Sequence, residues 1–469
     1  MGKLRIVSQV GIAHIGFNAP AIGCDIDARP SGSIYDWLQR RGRGQRPHPV
    51  PQGTRSYQDK WIADTRAALI AKQTPMMVGP CGAGKSYIAC KMAALAQQKG
   101  KAIGFVTIRR VLVDDLSSTL SSFGVPHSIL MEGRTPSAHR TVVASIHTMA
   151  SRDSTLDVDA VYFDEAHLLL SPAFRAVVER HRHLPRILMT ATPGRSDQQP
   201  LRLLADTIVM GPTTQQLIDM GYLVPTRLFA AELPDVTGVD INNEEDCAKL
   251  MNRPGLNAKA VKQWKLHGED RPTIVHACNV AHSKSVVEKF LAAGIEARHL
   301  DASHSDAERD DTFAELQLNA PAKKDVILLD LAGNAYSRFG LPEDDREWSL
   351  DSSEPPSAKP REQALSLRRC PECLAVFRAY TDQCPECGKG YAPTQRRIIE
   401  RDLELKEIAK KEKAERQAGM TDDVKLAILK RIVEAGRAKG NKPFAAVFKY
   451  KSATGEDLPR EWYRHVYSK

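Results

Sequence analysis

Residues 79–86 read Gly-Pro-Cys-Gly-Ala-Gly-Lys-Ser and directly follow the apolar run Pro75-Met76-Met77-Val78. The pattern is G-x-x-x-x-G-K-[ST]. Glycines in it let backbone N–H groups curl around phosphate oxygens, the lysine reaches the β and γ oxygens, and the hydroxyl joins a Mg²⁺ shell. A helix expected over Ser86 to Gln98 would aim its N-terminus at the same phosphates. Further along, the apolar run Val158 to Phe163 ends in Asp164-Glu165-Ala166-His167. Asp164 at a strand end can hold Mg²⁺, and Glu165 can orient and deprotonate an attacking water. A glycine-rich turn alone is often only a turn. The two segments together, each after a strand-like run and in the order a P-loop fold needs, predict a nucleotide hydrolase. Its ATP and Mg²⁺ would sit on Gly79, Gly82, Ala83, Gly84, Lys85, Ser86 and Asp164.

Around this core the pattern alternates short apolar runs with amphipathic stretches, as an α/β protein with parallel sheets requires. Ala102 to Thr107, Thr141 to Ser145, Ala160 to Phe163 and Arg186 to Met189 read as further strands. With 469 residues the chain is long enough for two or three domains, and 42% hydrophobic and 26% charged residues are ordinary for a soluble globular protein. No apolar run approaches membrane-spanning length and the N-terminus lacks a hydrophobic signal core, so a cytoplasmic protein without a membrane partner is expected. A net charge of +9 favours a polyanionic partner. Of nine cysteines, Cys24, Cys81, Cys90, Cys247 and Cys278 are scattered and four are paired, the usage of a reduced compartment with one metal site. Cys81 inside the loop reads as a tolerated small side chain.

The paired cysteines, Cys370-Pro-Glu-Cys373 and Cys384-Pro-Glu-Cys387, stand ten residues apart after a Ser- and Pro-rich linker, Ser352 to Arg361. Two such turns present four thiolates tetrahedrally, which suits a structural Zn²⁺; a redox dithiol would need one reactive pair. Beyond them, Thr394 to Gln417 reads as a charged helix with i,i+4 pairs such as Glu407–Lys411 and Glu412–Arg416, a spacer or a nucleic-acid contact. Lys442 to Lys469 interleaves Phe444, Phe448, Tyr450, Trp462 and Tyr463 with basic residues. Phe444 and Phe448 on one helix face favour a small helical core over base stacking.

These motifs resemble the first RecA-like domain of superfamily 2 helicases of the DEAD/DEAH-box class, in order and at the usual spacing. Tyr57-Gln58 sits where that family has its adenine-reading glutamine. Thr107-Ile108-Arg109-Arg110 and Ser145-Ile146-His147-Thr148 match its nucleic-acid segments, which gives Arg109 and Thr148 contacts to the strand. Thr190-Ala191-Thr192-Pro193 matches the segment coupling ATP to nucleic acid, with His167 beside it, and Gly221 to Pro225 resembles the exit into the hinge. Asp330 to Leu350 followed by the cysteine pairs is similar to phage and RadD-like helicases.

The second domain is out of order. Thr273 to Ala277, Ser283 to Ala292 and Ala297 to Leu300 resemble its beginning, yet Asp325 to Asp330 resembles the strand after its sixth motif. The missing part resembles the N-terminus. Lys3 to Val10 and Cys24 to Arg29 read as strands, Gly16 to Pro20 resembles the fifth motif, and Gln39-Arg40-Arg41-Gly42-Arg43-Gly44-Gln45-Arg46 fits Q-x-x-G-R-x-x-R. Ile15 stands where a Glu is common, and Asn18 replaces a usual Asp. An arginine from across a cleft stabilises charge on the leaving phosphoryl group, and Arg43 and Arg46 would lie one turn apart on a helix.

The expected organisation is therefore 1–53 completing the second RecA-like domain, 54–225 as the first, 226–351 as the second, 362–392 as the zinc ribbon and 393–469 as a helical basic tail. The expected function is an ATP-dependent helicase or translocase on DNA in preference to RNA, with protein partners in replication, recombination or repair. The alternatives are an ATPase-inactive nucleic-acid-binding zinc-ribbon protein and the motor subunit of a restriction or nuclease complex. The spatial expectation is that the first fifty residues return to the rear lobe.

Overall fold

Parallel strands covered on both faces are apolar throughout rather than alternating, and that is how the strands around the phosphate loop are written. A computed structural model describes residues 3–10, 21–31, 33–46, 55–194, 199–230, 239–241, 243–318, 320, 324–351, 367–391, 422–438, 444–454, 456 and 458–467. The chain opens with strands β1 (Ile6–Gln9) and β2 (Cys24–Asp27) and helix α1 (Ile34–Gly44). Helix α2 (Gln58–Ile70), strand β3 (Pro75–Val78) and helix α3 (Lys85–Gln97) follow. The next strands are β4 (Ile103–Thr107), β5 (Ser128–Leu130), β6 (Val142–Ser145), β7 (Ala160–Phe163), β8 (Arg186–Thr190) and β9 (Thr207–Met210). All seven strands from β3 to β9 are parallel, in the order β5-β6-β4-β7-β8-β3-β9. Strands β5 and β9 were not expected. They are short sheet edges, half-exposed in places (Met210 is 46% exposed), so their apolar contrast is weak.

A second sheet contains β10 (Thr226–Ala230), β11 (Thr273–His276), β12 (Ala297–Leu300) and β13 (Val326–Asp330). Strand β1 lies between β12 and β11, with Ile6 opposite Ala297 and Thr273. Strand β2 lies between β11 and β13, with Cys24 opposite Thr273 and Ile327. The order is β12-β1-β11-β2-β13-β10, all parallel. Ile6, Cys24 and Ile26 are buried among Val275, Phe290 and Ile327. Both added strands are shorter than the sequence runs suggest. The fifth-motif segment, 16–20, lies outside the described residues.

The cysteine module extends this sheet: β15 (Ala375–Arg378) pairs antiparallel with β10, and β14 (Leu367–Arg369) pairs with β15. Arg227 of β10 donates to both carboxylate oxygens of Glu386, at 2.9 and 2.7 Å, and so ties the second cysteine turn to the sheet. The segment after β13 crosses to the first lobe. Trp348 and Leu350 pack with Leu201 and Leu204, and Arg202 N–H donates to Leu350 O at 3.2 Å. By packing, the end of the expected 226–351 domain belongs to the other lobe.

Residues up to Tyr391 form one unit and those from Ala392 another. In the latter, helices Asp422–Ala438, Phe444–Thr454 and Tyr463–Tyr467 bury Leu429, Val433, Tyr450, Leu458 and Val466 together. The side chains of Phe444 and Phe448, and the charged stretch 394–417, lie outside the described residues. Among the described residues, no helix is long and apolar enough to cross a membrane.

Candidate active site between the two lobes

Gly82 and Gly84 adopt φ of +85° and +83°, the left-handed region open to glycine. Gly84 caps the N-terminus of α3, so the amides of the loop and first helical turn face one concavity. Gly79 has a different reason for being glycine: a Cβ there would stand 2.5 Å from Trp61 Cη2. The buried Trp61 donates from Nε1 to Val209 O at 3.1 Å and braces the loop from beneath. Lys85 Nζ donates to Gly79 O at 2.8 Å and Pro80 O at 3.3 Å, across the mouth of the loop.

Asp164 and Glu165 follow β7. Burial and then the Glu165 carboxylate push Asp164 up to about 7, while Lys85 pulls it down. Its Oδ1 accepts the Glu165 amide at 2.9 Å. Glu165 itself has φ +50° and ψ +49°, an uncommon conformation for a side-chain-bearing residue. Ser86 and Asp164 offer the hard oxygen donors Mg²⁺ prefers, and a divalent cation would favour the ionised form of Asp164.

Across the cleft, Gln39 of α1 joins two expected positions. Its Nε2 donates to His167 Nε2 at 3.0 Å and to Thr192 Oγ1 at 3.1 Å. That makes His167 Nε2 the acceptor, so Nδ1 carries the proton and donates to Thr190 Oγ1 at 3.0 Å. Thr190 Oγ1 in turn accepts the Thr192 amide at 3.2 Å, and Ala191 lies between them. Arg46 reaches the loop itself: a Cβ on Gly82 would be 3.3 Å from Arg46 Cγ and 3.6 Å from its Nε. It does so from a bend two residues beyond α1, which ends at Gly44, and not from the helix as expected. Gln45 O accepts the Val224 amide at 2.8 Å and pins that bend to the first lobe. The side chain of Arg43, near the end of α1, lies outside the described residues.

Gln58 is buried, accepts the Arg55 amide at 3.0 Å, and has Nε2 2.8 Å from where a Cβ on Gly84 would lie. Arg55 was missed. It donates to Gly82 O and Tyr57 OH, and its guanidinium lies 4.8 Å from the Tyr222 ring centre. Tyr57 OH donates to Ala83 O at 2.7 Å. No sequence pattern marks Arg55, because the contact depends on Tyr222 arriving from the far end of the lobe. Arg109 precedes the helix after β4 and is half-buried. Thr148, expected to touch nucleic acid, is 5% exposed and its hydroxyl accepts the Glu132 amide at 3.2 Å. Its side chain therefore holds a loop in place instead of facing a strand.

The four cysteines converge. Cys370 and Cys387 sulfurs lie 3.6 Å apart, as do those of Cys373 and Cys384, and all four lie within 4.8 Å of one another. Ligands about 2.3 Å from a common tetrahedral centre stand roughly 3.8 Å apart, so the set fits Zn²⁺.

A family model described as "Type III restriction enzyme, res subunit" matches residues 52–195. A 51.5 kDa protein of Lactococcus phage (isolate 7-9) is 22% identical over 386 residues, 71% of this chain and 83% of that protein. IRC3 of Saccharomyces cerevisiae, provisionally named an ATP-dependent helicase, is 25% identical over 194 residues, 38% of this chain and 28% of that protein. Among solved structures, the ATP-dependent Type ISP restriction-modification enzyme LlaBIII bound to DNA is similar at a TM-score of 0.41 and 14% identity, over 62% of this chain and 25% of that one. The chain thus spans little more than a quarter of the yeast relative and a quarter of the restriction enzyme.

Proposed function

We propose that this chain, whose residues 52–195 match a family model described as "Type III restriction enzyme, res subunit", is an ATP-driven DNA helicase or translocase. The observation that carries the reading is the cross-lobe bridge Gln39–His167–Thr192, with Arg46 against Gly82 of the phosphate loop. A site built from both lobes can couple hydrolysis to their relative movement. In this reading Gly82 to Ser86 cradle the phosphates, and Ser86 and Asp164 hold Mg²⁺, which would neutralise charge on the phosphate oxygens. Glu165 orients and deprotonates water. Arg46 faces the γ-phosphate, and Arg43 of the same segment is assigned the same charge-stabilising role; Gln58, Tyr57 and Arg55 line the base side. Thr190, Ala191, Thr192 and His167 couple the lobes, and Arg109 meets the strand through phosphate contacts, which carry no sequence information. The restriction-enzyme description of the matching family and the +9 net charge support DNA as the polyanion.

The test is phosphate release with and without single-stranded DNA, with Lys85→Ala as the control. DNA should raise turnover several-fold in the unmodified chain and have no effect on Lys85→Ala. Turnover indifferent to DNA, or raised only by RNA, would reject the reading.

Zn²⁺ held by Cys370, Cys373, Cys384 and Cys387 would act structurally, at the edge of the second sheet. Cys370 and Cys384 are buried in that lobe's core beside Phe377. Cys384→Ser is expected to abolish zinc release to a colorimetric chelator. With several kcal/mol of metal-binding energy at stake, and about 2 °C per kcal/mol for a unit this large, Tm should fall by roughly 5–10 °C. An unchanged Tm would show that the metal does not brace the sheet.

A further inference from the structure

Helix α1 has two working faces. Residues 37, 40 and 41, at i, i+3 and i+4, share one face, and residue 39 points the other way. Gln39 uses its face to reach His167 and Thr192 in the first lobe. The opposite face rests on the second sheet over two carboxylates, Asp25 and Asp27, which alternation along β2 puts on one side. Arg40 and Arg41 are 2% and 3% exposed. Arg40 Nη1 lies 3.8 Å from Asp27 Oδ1, and Arg41 lies 3.5 Å from Asp25 Oδ2 and 3.9 Å from Asp27 Oδ1. Asp27 Oδ2 accepts Trp37 Nε1 at 3.1 Å and Asn334 Nδ2 at 2.8 Å. His276, held by Gln9 at 2.7 Å, faces Asp25 at 3.4 Å.

Apolar residues could seat a helix on a sheet without the desolvation of two guanidinium groups. A buried ionic seat does something apolar packing does not: it favours one register, because sliding the helix separates charges in a low dielectric. That register sets where Gln39 sits and where the chain leaves α1 toward Arg46.

We propose that Arg40 and Arg41, seated on Asp25 and Asp27, are positioning residues that fix the register of α1 from which Gln39 reaches His167 and Thr192 and the chain carries Arg46 to the phosphate loop. This rests on the reading of Arg46 as the residue that stabilises the leaving phosphoryl group. Neither arginine touches nucleotide; each acts through the helix. A misplacement of about 1 Å at such a site costs on the order of 10²-fold in rate.

The test measures DNA-stimulated kcat, KM for ATP and mant-ATP binding in Arg40→Met, Arg41→Met, Arg40→Lys and Asp27→Asn, beside Lys85→Ala and Arg46→Ala. Folding is checked by circular dichroism. Arg40→Met and Arg41→Met should lose at least about tenfold in kcat, with KM and mant-ATP affinity within about twofold, and Arg40→Lys should recover most of the loss. A folded methionine variant with unmodified kcat overturns the proposal, as does a proportional change in kcat and KM. If the methionine variants do not fold, Asp27→Asn, which preserves volume, gives the same reading: normal kcat overturns the proposal. Inactivity of the unmodified chain would instead reject the ATPase reading. Full activity in Arg46→Ala would reject the role of that arginine alone.

Discussion

Arg46→Ala should lower DNA-stimulated kcat by about 10³-fold or more, the range in which a cross-cleft arginine contributes to phosphoryl transfer. The geometry argues for kcat and not KM. Arg46 lies over Gly82 at the cleft side of the loop, whereas the base-side residues Arg55, Tyr57 and Gln58 belong to the first lobe and remain intact. Nucleotide binding measured with mant-ATP should therefore change by less than about threefold while single-turnover hydrolysis collapses. The loss should not be rescued by Mg²⁺, because the charge removed faces the γ-phosphate from the second lobe. A variant with normal turnover would take Arg46 out of the chemistry. The Val224–Gln45 hydrogen bond at 2.8 Å would then be mere packing.

How much of this was legible in the sequence differs from place to place, for physical reasons. The first lobe's strands are buried on both faces and end in glycine, aspartate or threonine at the site, so pattern and chemistry coincide. Edge strands β5 and β9 carry no such contrast. In the second sheet, β1 and β2 bury the polar residues Ser8, Gln9, Asp25 and Asp27, so their apolar signal is weak and motif similarity assigns their place. Their places beside β11, β12 and β13 depend on backbone hydrogen bonds to strands far along the chain, which no local pattern encodes. The spacing of Arg43 and Arg46 predicts helical neighbours, but Gly44 ends the helix, as glycine near a C-terminus tends to. Motif position gives Thr148 a nucleic-acid contact, and its buried hydroxyl shows that position in a motif does not specify side-chain exposure. The cysteine spacing predicts the metal geometry but not that its strands would continue the sheet, since that requires the exposed edge of β10 as a partner.

Glu165→Gln separates binding from chemistry most sharply. The residue's backbone sits at φ +50°, a conformation that costs of order 1 kcal/mol or more outside glycine and is commonly kept where it aims a side chain. Here it turns the Glu165 carboxylate toward His167 Nδ1, 3.5 Å away, while its own amide holds Asp164 Oδ1. Glutamine preserves the length and the amide contact but removes the proton acceptor. Loss of a general base costs about 10²–10⁴-fold, so kcat should fall by that factor with ATP affinity equal to or tighter than in the unmodified chain. Lys85→Ala should show the converse, losing affinity together with rate, because its ammonium contacts phosphate before and during reaction. Replacing Glu165 by glutamine stops hydrolysis while the phosphate loop, Ser86 and Asp164 stay in place. The variant should then hold ATP long enough for the closed, DNA-engaged form to accumulate, seen as slower DNA release in ATP than in ADP. Equal release rates in the two nucleotides would mean that closure of the lobes does not depend on the intact γ-phosphate.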